Sequence, residues 1–170
     1  MDWPEVREAS GTTWHSRIIR RIPVRVDEKL IETAPCGEFR MKPEARKYFD
    51  EQLEIVLGGM PPRVHNLLDE VPLLVEDHPS SRIMHELGVR RRHHLCGLYT
   101  GIPLTQRSID QSGVPSDVIY VFREGVIGLA TDRHGRLDEA ELRRQIRITV
   151  LHELGHHHGL GEEELERLGY

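Results

Sequence analysis

Two histidines and a glutamate near the carboxyl end of this 170-residue chain have the spacing that a catalytic metal site requires. They lie in the segment His152-Glu153-Leu154-Gly155-His156. In a helix of about 3.6 residues per turn, His152 and His156 are one turn apart on the same face, so both imidazoles can bind one metal ion. Glu153 is placed to act as general base on a metal-bound water. This spacing predicts zinc-assisted hydrolysis of a peptide bond.

The surrounding sequence predicts the helix that this arrangement needs. Asp138 followed by Glu141 is typical of a capping box, so we expect the helix to begin there. Apolar residues within 146–154 occur almost all the way round the helix, which indicates packing on several sides and a rigid support for the imidazoles. Gly159 is placed to end the helix in a left-handed conformation just after the second histidine.

A third metal ligand is expected, because a zinc site that keeps one position open for water usually has three protein ligands. Little of the sequence follows His156, so we expect this ligand to be local. Glu162 matches the His-x-x-Gly-x-x-ligand spacing of metzincins, with a carboxylate in place of the usual histidine. Glu163 is an alternative ligand. Both glutamates would also suit the first turn of a short helix without any role in metal binding.

With these motifs the chain resembles the small bacterial zincin-like metallopeptidase family, in which a compact domain ends shortly after His-Glu-x-x-His-x-x-Gly-x-x-(Glu/Asp). The resemblance covers about residues 41–170, and its most specific part is residues 142–169. The other segments that carry it are residues 73–77 with Pro79 and Ser80, and residues 97–104 with Arg107 and Ser108.

This resemblance implies a zincin-like fold, one catalytic zinc ion and peptidase chemistry on a peptide or protein substrate. Carried over by position, it also implies that His152, His156 and Glu162 bind the zinc and that Glu153 is the base. The chain departs from true metzincins in one respect. They have a methionine turn beneath the metal, whereas no methionine follows Met84 in this sequence, so support for the site must come from elsewhere.

The order of the predicted elements indicates an α+β fold. Residues 1–42 form a predicted N-terminal extension, partly flexible, with one short strand-like piece at residues 22–26, and residues 43–170 form the predicted zincin-like domain. Helices are expected from Pro43 to Gly58, near residues 61–68 and over residues 80–87, and strands over residues 71–75, 95–100 and 118–122. This order favours a small mixed sheet flanked by helices, with the histidine-bearing helix packed on one face.

Residues 118–122 are a candidate for the strand that binds an extended substrate by main-chain pairing, because they precede the histidine-bearing helix. The alternative is that they form an ordinary core strand. Tyr120 within this segment could assist an oxyanion if its side chain faces the site.

Composition limits the other possible partners. The net charge of −5, from 28 acidic and 23 basic side chains, argues against a surface built for nucleic acid. The basic run at residues 90–94 is predicted to be a solvated loop, although contact with phosphate or an acidic partner is an alternative.

The sequence also bears on the location of the protein. No apolar run is long enough to span a membrane, and no signal-like start is present. With two cysteines, Cys36 and Cys96, a cytoplasmic location with free thiols is expected.

Other functions are compatible with parts of the pattern. The site could belong to a catalytically silent zinc-binding scaffold or regulator, or to a narrow regulatory protease that acts on one partner protein. A metal-dependent endoribonuclease of the ribosomal-RNA maturation type uses histidines at the same intervals, but typically has glycine and histidine where this chain has Glu153 and Glu162. Two histidines and a carboxylate also hold iron, and the helix spacing together with Glu153 favours zinc.

Overall fold

A small sheet and the helices packed on it position the histidine-bearing segment. The structure is a computed structural model and describes residues 31–33, 39–106 and 117–170. The helices in these residues are α1 (Pro43–Gly58), α2 (Pro62–Glu70), α3 (Ser81–Glu86), α4 (Arg123–Leu129), α5 (Glu139–His157) and α6 (Glu162–Leu168). The strands are β1 (Ile31–Thr33), β2 (Phe39–Met41), β3 (Leu73–Glu76), β4 (Gly97–Thr100) and β5 (Val118–Phe122). The α+β class predicted from the sequence is confirmed.

The main sheet has the strand order β3-β5-β4, with β3 parallel and β4 antiparallel to β5. Because β5 pairs on both sides, its main-chain groups are used within the sheet and are not available to a substrate. The prediction that β5 is the substrate-binding strand is therefore wrong, and the core-strand alternative holds. β4 lies at an edge of this sheet.

The two faces of the sheet pack against different helices. Side chains from β5 such as Ile119 and Val121 lie in the main core together with residues of α1, α4 and α5. Tyr120 faces the opposite side, where it packs with Leu98, Phe122 and residues of α3. Successive side chains of a strand point to opposite faces, so Tyr120 cannot reach a site on α5. The prediction that it assists an oxyanion is wrong.

The long helix α5 begins where the sequence predicts, although its cap is simpler than a capping box. The Asp138 side chain accepts a hydrogen bond from the Glu141 N–H at 3.0 Å. The reciprocal bond is not formed, because the Asp138 N–H donates to the Ala130 carbonyl and the Glu141 carboxylate accepts from Gln145 instead. The side-chain cap alone is typically worth about 1 kcal/mol of helix stability.

Helix α4 is an element that the sequence analysis did not predict. It follows β5 directly and contains Gly125 and Gly128, which lower its intrinsic helix propensity. The absence of a side chain at Gly125 lets the helix approach the main-chain carbonyl of Leu95, just before β4. Tertiary packing therefore stabilises this helix, as its mostly buried residues indicate.

The predicted N-terminal extension contains the antiparallel pair β1 and β2. Met41, at the end of β2, is buried in the main core. The division of the chain at residue 42 stays a prediction. The strand-like piece at residues 22–26, Cys36, Arg107 and Ser108 lie outside the described residues. Among the helices of the described part, none has the length and apolar character needed to cross a membrane.

Candidate metal centre

Helix α5 brings the two motif histidines together in a buried position. The Nε2 atoms of His152 and His156 are 3.0 Å apart, and each residue is 4% exposed. Nδ1 of His156 is 3.1 Å from the Leu160 carbonyl oxygen, to which it can donate a hydrogen bond. In a neutral imidazole this bond leaves the Nε2 lone pair directed at the site, which is the usual arrangement around a metal-binding histidine.

Glu162 reaches the same point from the first turn of α6. Its carboxylate oxygens lie 3.3 Å from the His156 Nε2 and 3.5 Å from the His152 Nε2. The chain reverses at Gly159, which has a φ of +83°, and the Leu160 N–H closes the helix end on the Gly155 carbonyl.

Buried packing between α5 and α6 holds this turn in place. The fully buried side chain of Leu165, on α6, packs directly against Gly155, where a Cβ atom would overlap it. The absence of a side chain at Gly155 therefore lets α6 lie close to α5, which supports Glu162 without a methionine turn.

The separations within this group fit a tetrahedral zinc ion. With zinc–ligand bonds of about 2.0–2.1 Å, two ligand atoms of such an ion lie about 3.3 Å apart. The two imidazole Nε2 atoms are 3.0 Å apart, and each lies 3.3 or 3.5 Å from a different oxygen of the Glu162 carboxylate. Within the described residues, His152, His156 and Glu162 are the group of three that could hold a metal ion. Glu163, the alternative ligand, is exposed and outside this group.

The charges of the group also suit a cation. Burial raises the pKa of Glu162, but hydrogen bonds and charge from His152 and His156 outweigh this and lower it to about 2. Burial lowers the pKa of His156, but its hydrogen bond to Glu162 and the charges of Glu153 and Glu162 raise it overall. The Glu162 carboxylate is therefore negatively charged at neutral pH and directed at two imidazole nitrogens.

Glu153 is fully buried beside the two histidines. Its Oε2 accepts a hydrogen bond from the Tyr99 N–H at 2.7 Å, while its Oε1 has no hydrogen-bond partner within the described residues. Burial raises the pKa of Glu153 to about 7, against the opposing effects of the neighbouring imidazoles and the Tyr99 N–H. A carboxylate with one oxygen fixed, the other unpaired and a pKa near neutrality suits a proton acceptor.

The outer edge of β4 borders this carboxylate. The Phe122 N–H donates to the Cys96 carbonyl, so by the antiparallel alternation Leu98 and Thr100 bond to β5, while the main-chain groups of Gly97 and Tyr99 point outward. The sequence analysis did not place β4 beside the site. The signal that could have done so is Gly97, since a glycine inside a strand often marks a close approach of another group.

Gly97→Ala is expected to displace the Glu153 carboxylate and to lower turnover. A Cβ atom on Gly97 would lie 2.6 Å from the Glu153 Oε1 and 2.8 Å from the Thr149 Cγ2, so the buried Glu153 side chain would have to shift. For the peptidase activity predicted from the sequence, we expect at least a roughly tenfold loss with metal content unchanged. Zinc content, thermal unfolding and activity should be measured together.

The matched control for this substitution is Gly58→Ala. Gly58 ends α1, and a Cβ atom there would meet nothing within 4 Å. Unchanged activity in the Gly97→Ala protein would contradict the close packing of β4 on Glu153.

The basic run at residues 90–94 does not form a continuous charged surface. Arg92 pairs with the buried Glu124, its Nε 2.7 Å from a carboxylate oxygen. Burial is the main cause that lowers the pKa of both His93 and His94, and the positive charge of Arg91 lowers both further. Only Arg90 and Arg91 of the run are exposed, so the solvated-loop interpretation applies to these two residues.

The comparisons with known proteins agree with this α+β domain. A family model described as zincin-like metallopeptidase matches residues 68–170, which is more than half of the chain. The chain therefore belongs to the zincin-like metallopeptidase family, and the resemblance predicted from the sequence is confirmed. A search of curated proteins found no match. Membership of this family indicates a metal-dependent peptidase, whose metal is usually zinc and whose substrates are peptides or proteins.

Proposed function

We propose that this protein is a zinc-dependent peptidase in which His152, His156 and Glu162 hold the metal and Glu153 is the general base. The observation that carries the proposal is the convergence of the three side chains at zinc-like separations, beside a buried carboxylate that has one unpaired oxygen. Zinc bound there would lower the pKa of a bound water from about 15.7 to about 7 and polarise the scissile carbonyl.

The residues of the chain supply the proton transfers and the substrate alignment. Glu153 Oε1 takes a proton from the attacking water and returns it to the leaving amine, while the Tyr99 N–H keeps Oε2 in place. β4 borders this carboxylate through Gly97, so we place the reacting part of a peptide substrate beside this strand rather than beside β5.

The direct test is metal analysis combined with a peptidase assay. Protein purified without added metal is expected to contain one zinc ion per chain and to cleave members of a peptide library. Stoichiometric zinc without any cleavage would contradict the peptidase proposal and favour the catalytically silent scaffold. Cleavage of a single co-purified protein but of no generic substrate would identify a narrow regulatory protease. The cytoplasmic location stays a prediction.

His156→Ala is expected to lose both zinc and activity. This substitution removes one imidazole from the ligand group and also its hydrogen bond to the Leu160 carbonyl, which helps to fix the turn before α6. Elemental analysis and peptide hydrolysis should be measured on the same preparation. His85→Ala, on the partly exposed helix α3, is the control and should retain both properties. Full zinc binding by the His156→Ala protein would contradict the assignment of this ligand.

A further inference from the structure

A second group of buried polar side chains lies beside the candidate metal centre. The Tyr99 hydroxyl donates a hydrogen bond to the Asp117 carboxylate at 2.9 Å, and the His157 Nδ1 is 3.3 Å from the same hydroxyl oxygen. Because the hydroxyl proton is directed at Asp117, the His157 contact requires Nδ1–H to donate to the hydroxyl oxygen. Tyr99 and His157 are only 1% and 2% exposed, so these two side chains are shielded from water, while Asp117 is partly buried.

This group joins three elements that meet at the site. Tyr99 belongs to β4, Asp117 immediately precedes β5, and His157 is the last residue of α5. Gly101 is part of the arrangement, because a Cβ atom there would collide with the Asp117 carboxylate and lie 2.6 Å from the Tyr99 hydroxyl oxygen. The close fit leaves the phenol ring of Tyr99 little freedom to move.

Tyr99 contacts α5 at two points that are one helical turn apart. Its main-chain N–H holds the Glu153 Oε2, and its hydroxyl holds the His157 imidazole. Residues 153 and 157 are separated by four positions, so they lie on the same face of the helix. One residue of β4 therefore spans a full turn of α5 and fixes the distance between the strand edge and the carboxylate.

We propose that Tyr99 is a positioning residue that holds Glu153 in place through this two-point contact, with Asp117 and His157 fixing the phenol end. This inference rests on the role proposed for Glu153 as base. A hydroxyl bound at both its proton and its oxygen restrains β4 more tightly than an apolar ring, since moving the strand would leave buried polar groups unpaired. Partners that orient metal ligands contribute about 10- to 100-fold to activity, and we expect an effect of similar size for a group that orients the base.

The test uses the Tyr99 amide itself as the reporter. In nitrogen-15-labelled protein, hydrogen exchange at residue 99 reports the bond to Glu153, whereas the amides of Leu98 and Thr100 report the pairing of β4 with β5. The Tyr99→Phe substitution keeps the ring and the main chain but removes the hydroxyl. We expect exchange at residue 99 to become at least about tenfold faster in this variant, with residues 98 and 100 unchanged.

Two variants of Asp117 and a control variant of Tyr120 sharpen the test. Asp117→Ala removes the acceptor and should accelerate exchange at residue 99 in the same way, while Asp117→Asn retains an acceptor oxygen and should restore slow exchange. Tyr120→Phe is the matched control on the neighbouring strand, where the ring stacks against Phe122 on the other face of the sheet. Exchange at residue 99 that stays at the wild-type rate in Tyr99→Phe, or rises equally at all three amides, would overturn the proposal.

This readout needs neither substrate nor metal, so it separates the present inference from the proposed function. A protein that binds no zinc or cleaves no peptide would contradict the peptidase proposal and leave the exchange result intact. In the active enzyme, Tyr99→Phe is expected to lower kcat about tenfold, with KM and zinc content unchanged. An unchanged kcat in that protein would also overturn the positioning role.

Discussion

Glu153→Gln is expected to abolish turnover in a protein that still binds its zinc. The amide has nearly the shape of the carboxylate, and its oxygen can still accept the Tyr99 N–H, so the buried side chain should keep its place. An amide cannot take a proton from water at neutral pH, and loss of a general base typically lowers activity by about 10²- to 10⁴-fold. The ligand group of His152, His156 and Glu162 is not altered by this change.

The measurement is turnover of a cleaved peptide, with zinc content determined on the same sample. Glu166→Gln, an exposed glutamate on α6, makes the same chemical change away from the site and should leave both values unchanged. A Glu153→Gln enzyme with full activity would refute the base assignment. A protein that loses zinc would show instead that Glu153 supports the metal.

Glu162→Ala is expected to weaken zinc binding strongly, whereas Glu163→Ala should not. Glu162 supplies the carboxylate at 3.3 and 3.5 Å from the two imidazole nitrogens, while its neighbour is exposed. Since outer partners of metal ligands already contribute about 10- to 100-fold to affinity, loss of a ligand itself should cost more than 100-fold. A ligand that binds only the folded protein raises the unfolding temperature, and this zinc-dependent rise should disappear in Glu162→Ala.

Zinc titration and thermal unfolding with and without zinc provide the two readouts. The pair of variants is matched, because the two residues are adjacent and both belong to the first turn of α6. The reverse result, with binding lost only in Glu163→Ala, would reassign the third ligand. Retention of zinc by both single variants would show that neither carboxylate is required for binding.

Local patterns predicted the parts of the fold that depend on neighbouring residues. The start of α5 at Asp138, its end before Gly159 and the short helix after Glu162 follow from capping and turn preferences that act within a few residues. The candidate ligand group also lies within one short segment, residues 152–162, and the four-residue spacing of the two histidines on a helix is enough to bring them together. Their assignment as ligands stays a prediction until a metal is measured.

Patterns within one segment could not predict the order of the strands in the sheet. They also could not predict which residues from distant segments contact the candidate site. Whether β4 or β5 lies at the sheet edge depends on pairing between distant segments, and so does the face on which Tyr120 lies. The hydrogen bond between Tyr99 and His157 joins residues 58 positions apart. Helix α4 was missed because its two glycines lower its helix propensity, and its burial against α5 and the segment before β4 stabilises it.

The candidate ligand group and the candidate base depend on different parts of the fold. Only α5 and the turn that follows it separate residues 152 and 162, so closing the loop between these candidate ligands costs little conformational entropy. The hydrogen bond that orients Glu153 comes from a strand 54 positions away and forms only when the sheet has docked on the helix. A change that loosens the packing of the sheet on α5 should therefore disturb the proposed base more than the proposed metal ligands.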